Sequence, residues 1–340
     1  MQSYCVCVEH SGMGSPRERA QAGGRQTKFQ ICSDGAKSNL KPSPAVSHLK
    51  FGLALRAPKE GVQVNWGRGR GLSFLFFCLH ALATRAIAVD GPHGTVDLIS
   101  QHASIEPGRA FRVGLHFQLE KGWHIYWLNP GDSGEPPKVQ WTLPVGFRVG
   151  PLEWPTPRRI PDHTLIDYGY EDEVLLPVEI RAPASLAPGR DVELGLTLTW
   201  LVCRETCIPG RAALRLSLPV RNDQGAAPTA HRKLFLKASM GLPKPAPKEW
   251  KLAGSLDGRA FNLVIETGRR EAGAIFFPLE PGQIENAAPQ NATPLARGIQ
   301  LKLRRSDQLL KPVTSLEGIL VLDSARSYII KVPIRTSKSS

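Results

Sequence analysis

The sequence predicts an all-β protein: an antiparallel β-sandwich followed by a second, smaller β-domain. Two observations carry that expectation. Apolar and polar residues alternate with period two through 89–220 and again after 249, and Pro or Gly punctuates the runs with no sustained helical period between them. The length of 340 residues, 41% apolar and 21% charged, is enough for two domains with cores of their own and argues against a wholly disordered chain.

The strands of the sandwich can be read in order. Phe111, Val113, Leu115, Phe117 and Leu119 alternate with Arg112, Gly114, His116 and Gln118. Val174, Leu176, Val178 and Ile180 repeat the pattern, as do Val192, Leu194, Leu196, Leu198, Trp200 and Val202, and then Leu214, Leu216 and Leu218. Such spacing puts one face of each strand in a core. The stretch 221–248 differs: a polar loop at Asn222–Gly225 leads into a segment, Thr229 to Met240, that can form one short helix. Leu242-Pro243-Lys244-Pro245-Ala246-Pro247 then reads as a stiff linker. Alternation returns at Phe261, Leu263 and Ile265, at Ile299, Leu301 and Leu303, and from Tyr328 to Ile334, giving a second β-domain over 249–336 before a frayed tail.

A leader precedes the sandwich. Leu72 to Ala83 is an apolar run too short to span a bilayer, with Arg68 and Arg70 before it and Ala86-Ile87-Ala88 after it. That order predicts a signal peptide over 64–88 and a mature N-terminus near Val89. Residues 1–63 read either as an over-extended start, with the true start near Val62 or Val64, or as a disordered arm. Cys5, Cys7, Cys32 and Cys78 are then absent from the mature chain. The net charge of +13 is weighted to the front: residues 1–88 carry twelve basic and four acidic side chains. No nucleic-acid partner is therefore expected of the folded part. After residue 88 no apolar run is long enough to cross a membrane, so the mature chain is not expected to be membrane-spanning.

Cys203 and Cys207 are the only cysteines left. On one extended strand their Cα atoms would be about 13 Å apart, beyond the roughly 7 Å limit for a disulfide, so they can pair only across a turn. A hairpin with Arg204, Glu205 and Thr206 in its loop brings the sulfurs together, off the main core because both fall out of phase with the Leu196/Leu198/Trp200 row. A structural staple is one reading of such a pair in an oxidising compartment. Closing a loop this short removes little unfolded-state entropy, so the bond stabilises little, which favours an exchangeable bond. Arg204 favours a thiolate at Cys203 and Glu205 opposes it, so local charge does not choose the nucleophile.

Four ordered blocks surround this pair. They are Gly122-Trp123-His124-Ile125-Tyr126-Trp127-Leu128-Asn129-Pro130-Gly131-Asp132-Ser133-Gly134, then Trp154-Pro155-Thr156-Pro157, then Tyr168-Gly169-Tyr170-Glu171-Asp172-Glu173-Val174, then Trp200-Leu201-Val202-Cys203 with Cys207-Ile208-Pro209. Together they resemble the N-terminal periplasmic domain of thiol:disulfide interchange protein DsbD over about 105–220, in its ScsB-like, copper-sensitivity-suppressor branch. Phe276 to Gln290 is similar to the second β-domain of that branch. The resemblance implies an immunoglobulin-like redox domain acting in the periplasm as a protein-disulfide reductase component, with the redox-active disulfide and no other cofactor. It implies electrons from a membrane-embedded thiol donor, and periplasmic thioredoxin-like or other disulfide-bearing acceptors. Copper tolerance and cytochrome c biogenesis are compatible pathways. By family pattern Cys207 is the attacking nucleophile and Cys203 the resolving thiol, and Asp167, Tyr168, Gly169 and Tyr170 form a cap loop that shields the sulfurs.

Two departures accompany the resemblance. The loop between the cysteines is shorter than in the best-known DsbD, and the chain ends at Ser340 without the membrane domain that usually follows, which implies a separately encoded donor or a truncated gene model. The competing expectation is a non-enzymatic exported binding module with a structural disulfide. Trp123, Trp127, Trp141 and Trp154 read as core and loop anchors. His116 and His124 lack a third ligand, and Met240 alone is no Cu(I) site, so no metal is expected. Asp132 and Ser133 sit in a Gly/Pro-rich loop with no histidine placed to complete a triad.

Overall fold

Strand and little else emerges from the alternating segments, in a computed structural model that describes residues 88–222, 226–309, 311–323 and 326–336. The arm, all but the last residue of the expected signal peptide, four of the six cysteines and the tail lie outside the described residues.

Eleven strands precede the helix. They are β1 (Val89–Gly91), β2 (Gly94–Ser100), β3 (Ala110–Leu119), β4 (His124–Gly131), β5 (Lys138–Thr142), β6 (Arg148–Leu152), β7 (Arg158–Asp162), β8 (Leu165–Glu171), β9 (Glu173–Arg181), β10 (Asp191–Cys203) and β11 (Cys207–Pro219). One sheet has the order β1-β2-β3-β9-β6 and the other β11-β10-β4-β8-β7, with β5 also on β10. Their facing residues make one core, including Val113, Leu115, Phe117, Leu176, Val178, Leu196, Leu198 and Trp200. The predicted immunoglobulin-like sandwich is the observed fold.

The outer face of the first sheet is not bare. Helix α1 (Arg232–Gly241) packs Phe235 and Ala238 on Ile99 and Leu175. This covering is why His116, which the period-two pattern puts on the solvent side of β3, is buried.

Eight strands follow: β12 (Lys244–Pro245), β13 (Lys251–Asp257), β14 (Ala260–Glu266), β15 (Ala274–Pro278), β16 (Asn291–Leu295), β17 (Gly298–Arg304), β18 (Ser315–Leu322) and β19 (Arg326–Thr336). They form one sheet ordered β15-β18-β19-β13-β14-β17-β16. It closes over Phe261, Leu263, Leu301, Leu320 and Val332. The Pro-rich segment is not a free linker: β12 lies parallel to β19, and Ala246 donates its N–H to the Ile329 carbonyl.

The two halves share side chains. Phe277 and Ile319 belong to the sandwich core, and the Trp127, Tyr168 and Phe277 rings meet edge to face at centroid distances of 5.0–6.4 Å. Aromatic pairs favour that edge-to-face geometry.

Candidate redox site

The β10–β11 hairpin runs in continuous register from Asp191 opposite Pro219 to Cys203 opposite Cys207, so the cysteines are the last opposed pair before the Arg204–Thr206 loop. Their Cα atoms are 4.2 Å apart and the sulfurs are bonded. That is the close spacing of directly opposed antiparallel residues. The pairing also fixes the face. Val202 lies opposite Ile125 and Cys203 opposite His124. Ile125 and Val202 enter the core, and Cys203 and His124 take the other side of the sheet. The two cysteines are unequal there, Cys203 being 3% exposed and Cys207 an exposed residue.

Alternation on β4 and β8 builds the surroundings. Ile125 and Trp127 point inward, so His124 and Tyr126 point outward; Tyr168 and Tyr170 point inward, so Asp167 points outward. The Tyr126 hydroxyl lies 3.3 Å from Cys207 Sγ, 3.2 Å from Ser133 Oγ and 3.5 Å from Asp167 Oδ2. Ser133 donates its N–H (3.1 Å) and hydroxyl (2.9 Å) to Asp167 Oδ1. With the Ser133 proton on the carboxylate, the single Tyr126 proton faces two acceptors, Asp167 Oδ2 and Cys207 Sγ. Burial, reinforced by the Asp167 charge, pushes the Tyr126 phenol up to about 12, so it remains a donor at neutral pH. His124 Nε2 stands 3.4 Å from Asp167 Oδ2, within ion-pair range but without hydrogen-bond alignment.

Gly134 allows this packing. Its φ is 72°, and a Cβ there would meet the Tyr126 ring at about 2 Å. On the other side of the hairpin, Arg204 lies 5.2 Å from the Trp123 ring centroid, and His93 stacks on the same indole at 3.6 Å. A cation–π contact of this kind restrains the loop between the cysteines.

The expected cap loop is corrected by the structure. Asp167, Tyr168, Gly169 and Tyr170 lie within β8, paired on both sides by β4 and β7, and all four are buried. Tyr168 and Tyr170 enter the core and donate to Asn286 Oδ1 and the Pro155 carbonyl. Only Asp167 faces the disulfide side, through Ser133 and Tyr126. The aromatic ring at the sulfur is that of Tyr126, which the sequence reading quoted but assigned no role. Its signal was parity: in His124-Ile125-Tyr126-Trp127 both faces are aromatic or imidazole, so one face had to serve something other than the core.

Metal ligation finds no cluster of three His, Cys, Asp or Glu side chains among the described residues. His116 and His124 lie on different sheets. No described helix is long and apolar enough to cross a membrane.

The site is thus a cross-strand cysteine pair at a hairpin end of a sandwich, with Cys207 exposed and Cys203 buried. Residues 96–219 match the family described as "Thiol:disulfide interchange protein DsbD, N-terminal". The match begins earlier than the resemblance read from motifs. Among solved structures, the N-terminal periplasmic domain of ScsB from Proteus mirabilis is similar at 18% identity, covering 71% of this chain and 94% of that one with a TM-score of 0.54, which establishes the shared fold. The periplasmic chaperone SfaE (10% identity, 71% and 100% covered, TM-score 0.21) and the Bacillus cereus pilin BcpA (8%, 73% and 69%, 0.24) are too distant to carry an argument. No curated protein matches the chain.

Proposed function

We propose that the protein is a periplasmic thiol:disulfide interchange module that takes electrons from a membrane thiol donor and reduces disulfides of exported proteins through Cys203 and Cys207. The observation that carries this reading is the inequality of the cysteines: Cys207 is exposed beside the Tyr126 hydroxyl, while Cys203 is buried behind it. Exchange needs one sulfur that a partner can reach and one that resolves from within. The leader sequence and the periplasmic origin of the ScsB domain support the location.

The steps balance. A donor dithiol attacks Cys207 Sγ, Cys203 leaves, and a second donor thiol releases the reduced pair, two electrons and two protons having moved. The Cys207 thiolate then attacks a substrate disulfide, expelling one substrate thiolate, which takes a proton. Cys203, losing its proton, attacks Cys207 Sγ in the mixed disulfide. That re-forms the internal bond and frees the second substrate thiol. Tyr126 turns its proton from Asp167 Oδ2 to Cys207 when the sulfur carries charge, and Asp167 holds Ser133 beside the phenol. The test is trapping: a Cys203→Ser variant should accumulate a mixed disulfide through Cys207 with a thioredoxin-like periplasmic protein. A Cys207→Ser variant that still reduces partner disulfides at the wild-type rate contradicts the proposal.

A further inference from the structure

We infer that the β-sheet following α1 governs the reactivity of Cys207, through Asn286 as a positioning residue that holds the β4–β5 loop against Tyr126. This inference rests on the redox reading above and assigns the second β-domain a part in it beyond that of a spacer.

The stretch Asn129–Gly134, which runs from the end of β4 into the β4–β5 loop, is tied at nearly every residue. Asn129, fully buried, donates its side-chain N–H to the Pro278 carbonyl (2.8 Å) and accepts from the Gly131 N–H (3.0 Å). Gly131 has φ 92° and passes so close to Ile166 that a Cβ would lie 2.4 Å from its carbonyl oxygen. Asp132 donates its N–H to that carbonyl (3.1 Å) and accepts the Ile166 N–H on Oδ2 (2.8 Å). Its other oxygen, Oδ1, takes the amide proton of Asn286 Nδ2 at 2.9 Å. Ser133 and Gly134 follow directly, and they are the residues that orient and seat Tyr126.

Asn286 is itself fixed from three sides. It is 4% exposed, accepts the Tyr168 hydroxyl on Oδ1 (2.8 Å), and its carbonyl accepts Arg159 Nη2 (2.6 Å). A bridge from the later sheet therefore runs Asn286, Asp132, Ser133, Tyr126, Cys207. The edge-to-face contacts of Trp127, Tyr168 and Phe277 already hold the two halves together on the core side, yet they do not touch this loop's outer end. The polar bridge does. Asp132 is itself exposed, but the amide that donates to it is buried, and a buried donor left without its acceptor is costly, so the Asn286 end fixes the geometry of the bond. Cutting the bridge leaves Asp132 held only by Ile166 and releases its Oδ1, which lets Ser133 shift on Asp167 and takes the Tyr126 donor away from sulfur.

The experiment reduces the purified full-length protein and follows Cys207 alkylation by iodoacetamide between about pH 5 and 9, with mass spectrometry separating Cys207 from Cys203. Asn286→Ala and Asp132→Ala should each shift the Cys207 profile to higher pH and slow alkylation at pH 7 by about threefold or more. In a Ser133→Ala background, Asn286→Ala should add nothing, because both act on one chain of contacts. A loss of stability alone would not move the pH profile. If Asn286→Ala fails to fold, Asn286→Asp decides, because it keeps the acceptor for Tyr168 and removes only the donor to Asp132. Wild-type profiles in the folded variants, or a full Asn286→Ala effect without the Ser133 hydroxyl, overturn the inference and leave the redox reading standing. A wild-type disulfide that resists reduction until the protein unfolds overturns both.

Discussion

Each sheet of the sandwich buries a polar cluster on its outer face, and the two clusters differ in what lies over them. On the first sheet His116 hydrogen-bonds Glu173 (3.1 Å), lies 4.0 Å from Asp97, and is roofed by α1, from which Lys237 reaches Glu173. Burial raises the Asp97 carboxyl and lowers His231 at the start of the helix. On the second sheet His124, Asp167, Ser133 and Tyr126 make a similar imidazole–carboxylate group, but the chain of contacts ends at an exposed cysteine. The same residue types thus close a structure in one place and lie against the Cys203–Cys207 disulfide in the other. Residue type does not decide between them; the neighbour does.

This contrast can be broken by separating stability from exchange. His116→Ala should destabilise the fold by about 1–3 kcal/mol, since it empties a buried site under α1 and takes the imidazole from half-buried Asp97 while Lys237 still holds Glu173, and should leave disulfide exchange at its wild-type rate. Denaturant unfolding alongside an exchange assay checks it, and a slowed exchange would show that the two clusters are coupled. Tyr126→Phe should do the reverse. Loss of one hydrogen bond to a charged sulfur is expected to slow exchange through Cys207 by about tenfold with little change in unfolding midpoint. Equal loss of stability would make Tyr126 a packing residue.

The smallest effect concerns acid. Glu173 is held below its ordinary value of 4.5, first by the Lys237 hydrogen bond. The folded state therefore binds this proton less tightly than the unfolded chain, so the contribution to stability is complete above about 4.5 and is lost as pH falls through the lower folded value. Lys237→Met should cost under about 1 kcal/mol at neutral pH, the pair being partly exposed, and should flatten this acid-side decline. Melting temperatures from about pH 3 to 7 test the sign. A steeper decline in the variant would reverse it.

The fold was legible because β-alternation survives wherever one face meets a core. Phe111 to Phe117, Leu194 to Val202 and Phe261 to Ile265 all carried it. It failed where both faces are covered. In β8 the run Asp167-Tyr168-Gly169-Tyr170 has polar, aromatic and glycine residues that resemble a loop, and only its pairing with β4 and β7 shows a central strand. The cysteine hairpin could be deduced from chain reach alone. Tyr126 could not be assigned to it, because the 3.3 Å contact joins residues 81 apart in sequence through a register that periodicity leaves open. Nor could Asn286, whose partners Asp132 and Tyr168 come from the other sheet system.

The central claim is that the Cys203–Cys207 bond is exchangeable in the folded protein, and a redox titration tests it most directly. The protein would be equilibrated with glutathione and with stronger dithiols, and alkylation with mass spectrometry would report both cysteines while circular dichroism follows the fold. The account expects reversible reduction of the native protein with a midpoint above about −300 mV. A bond that yields only when the sandwich unfolds, or only well below that potential, would contradict it and make the disulfide a staple in a binding module.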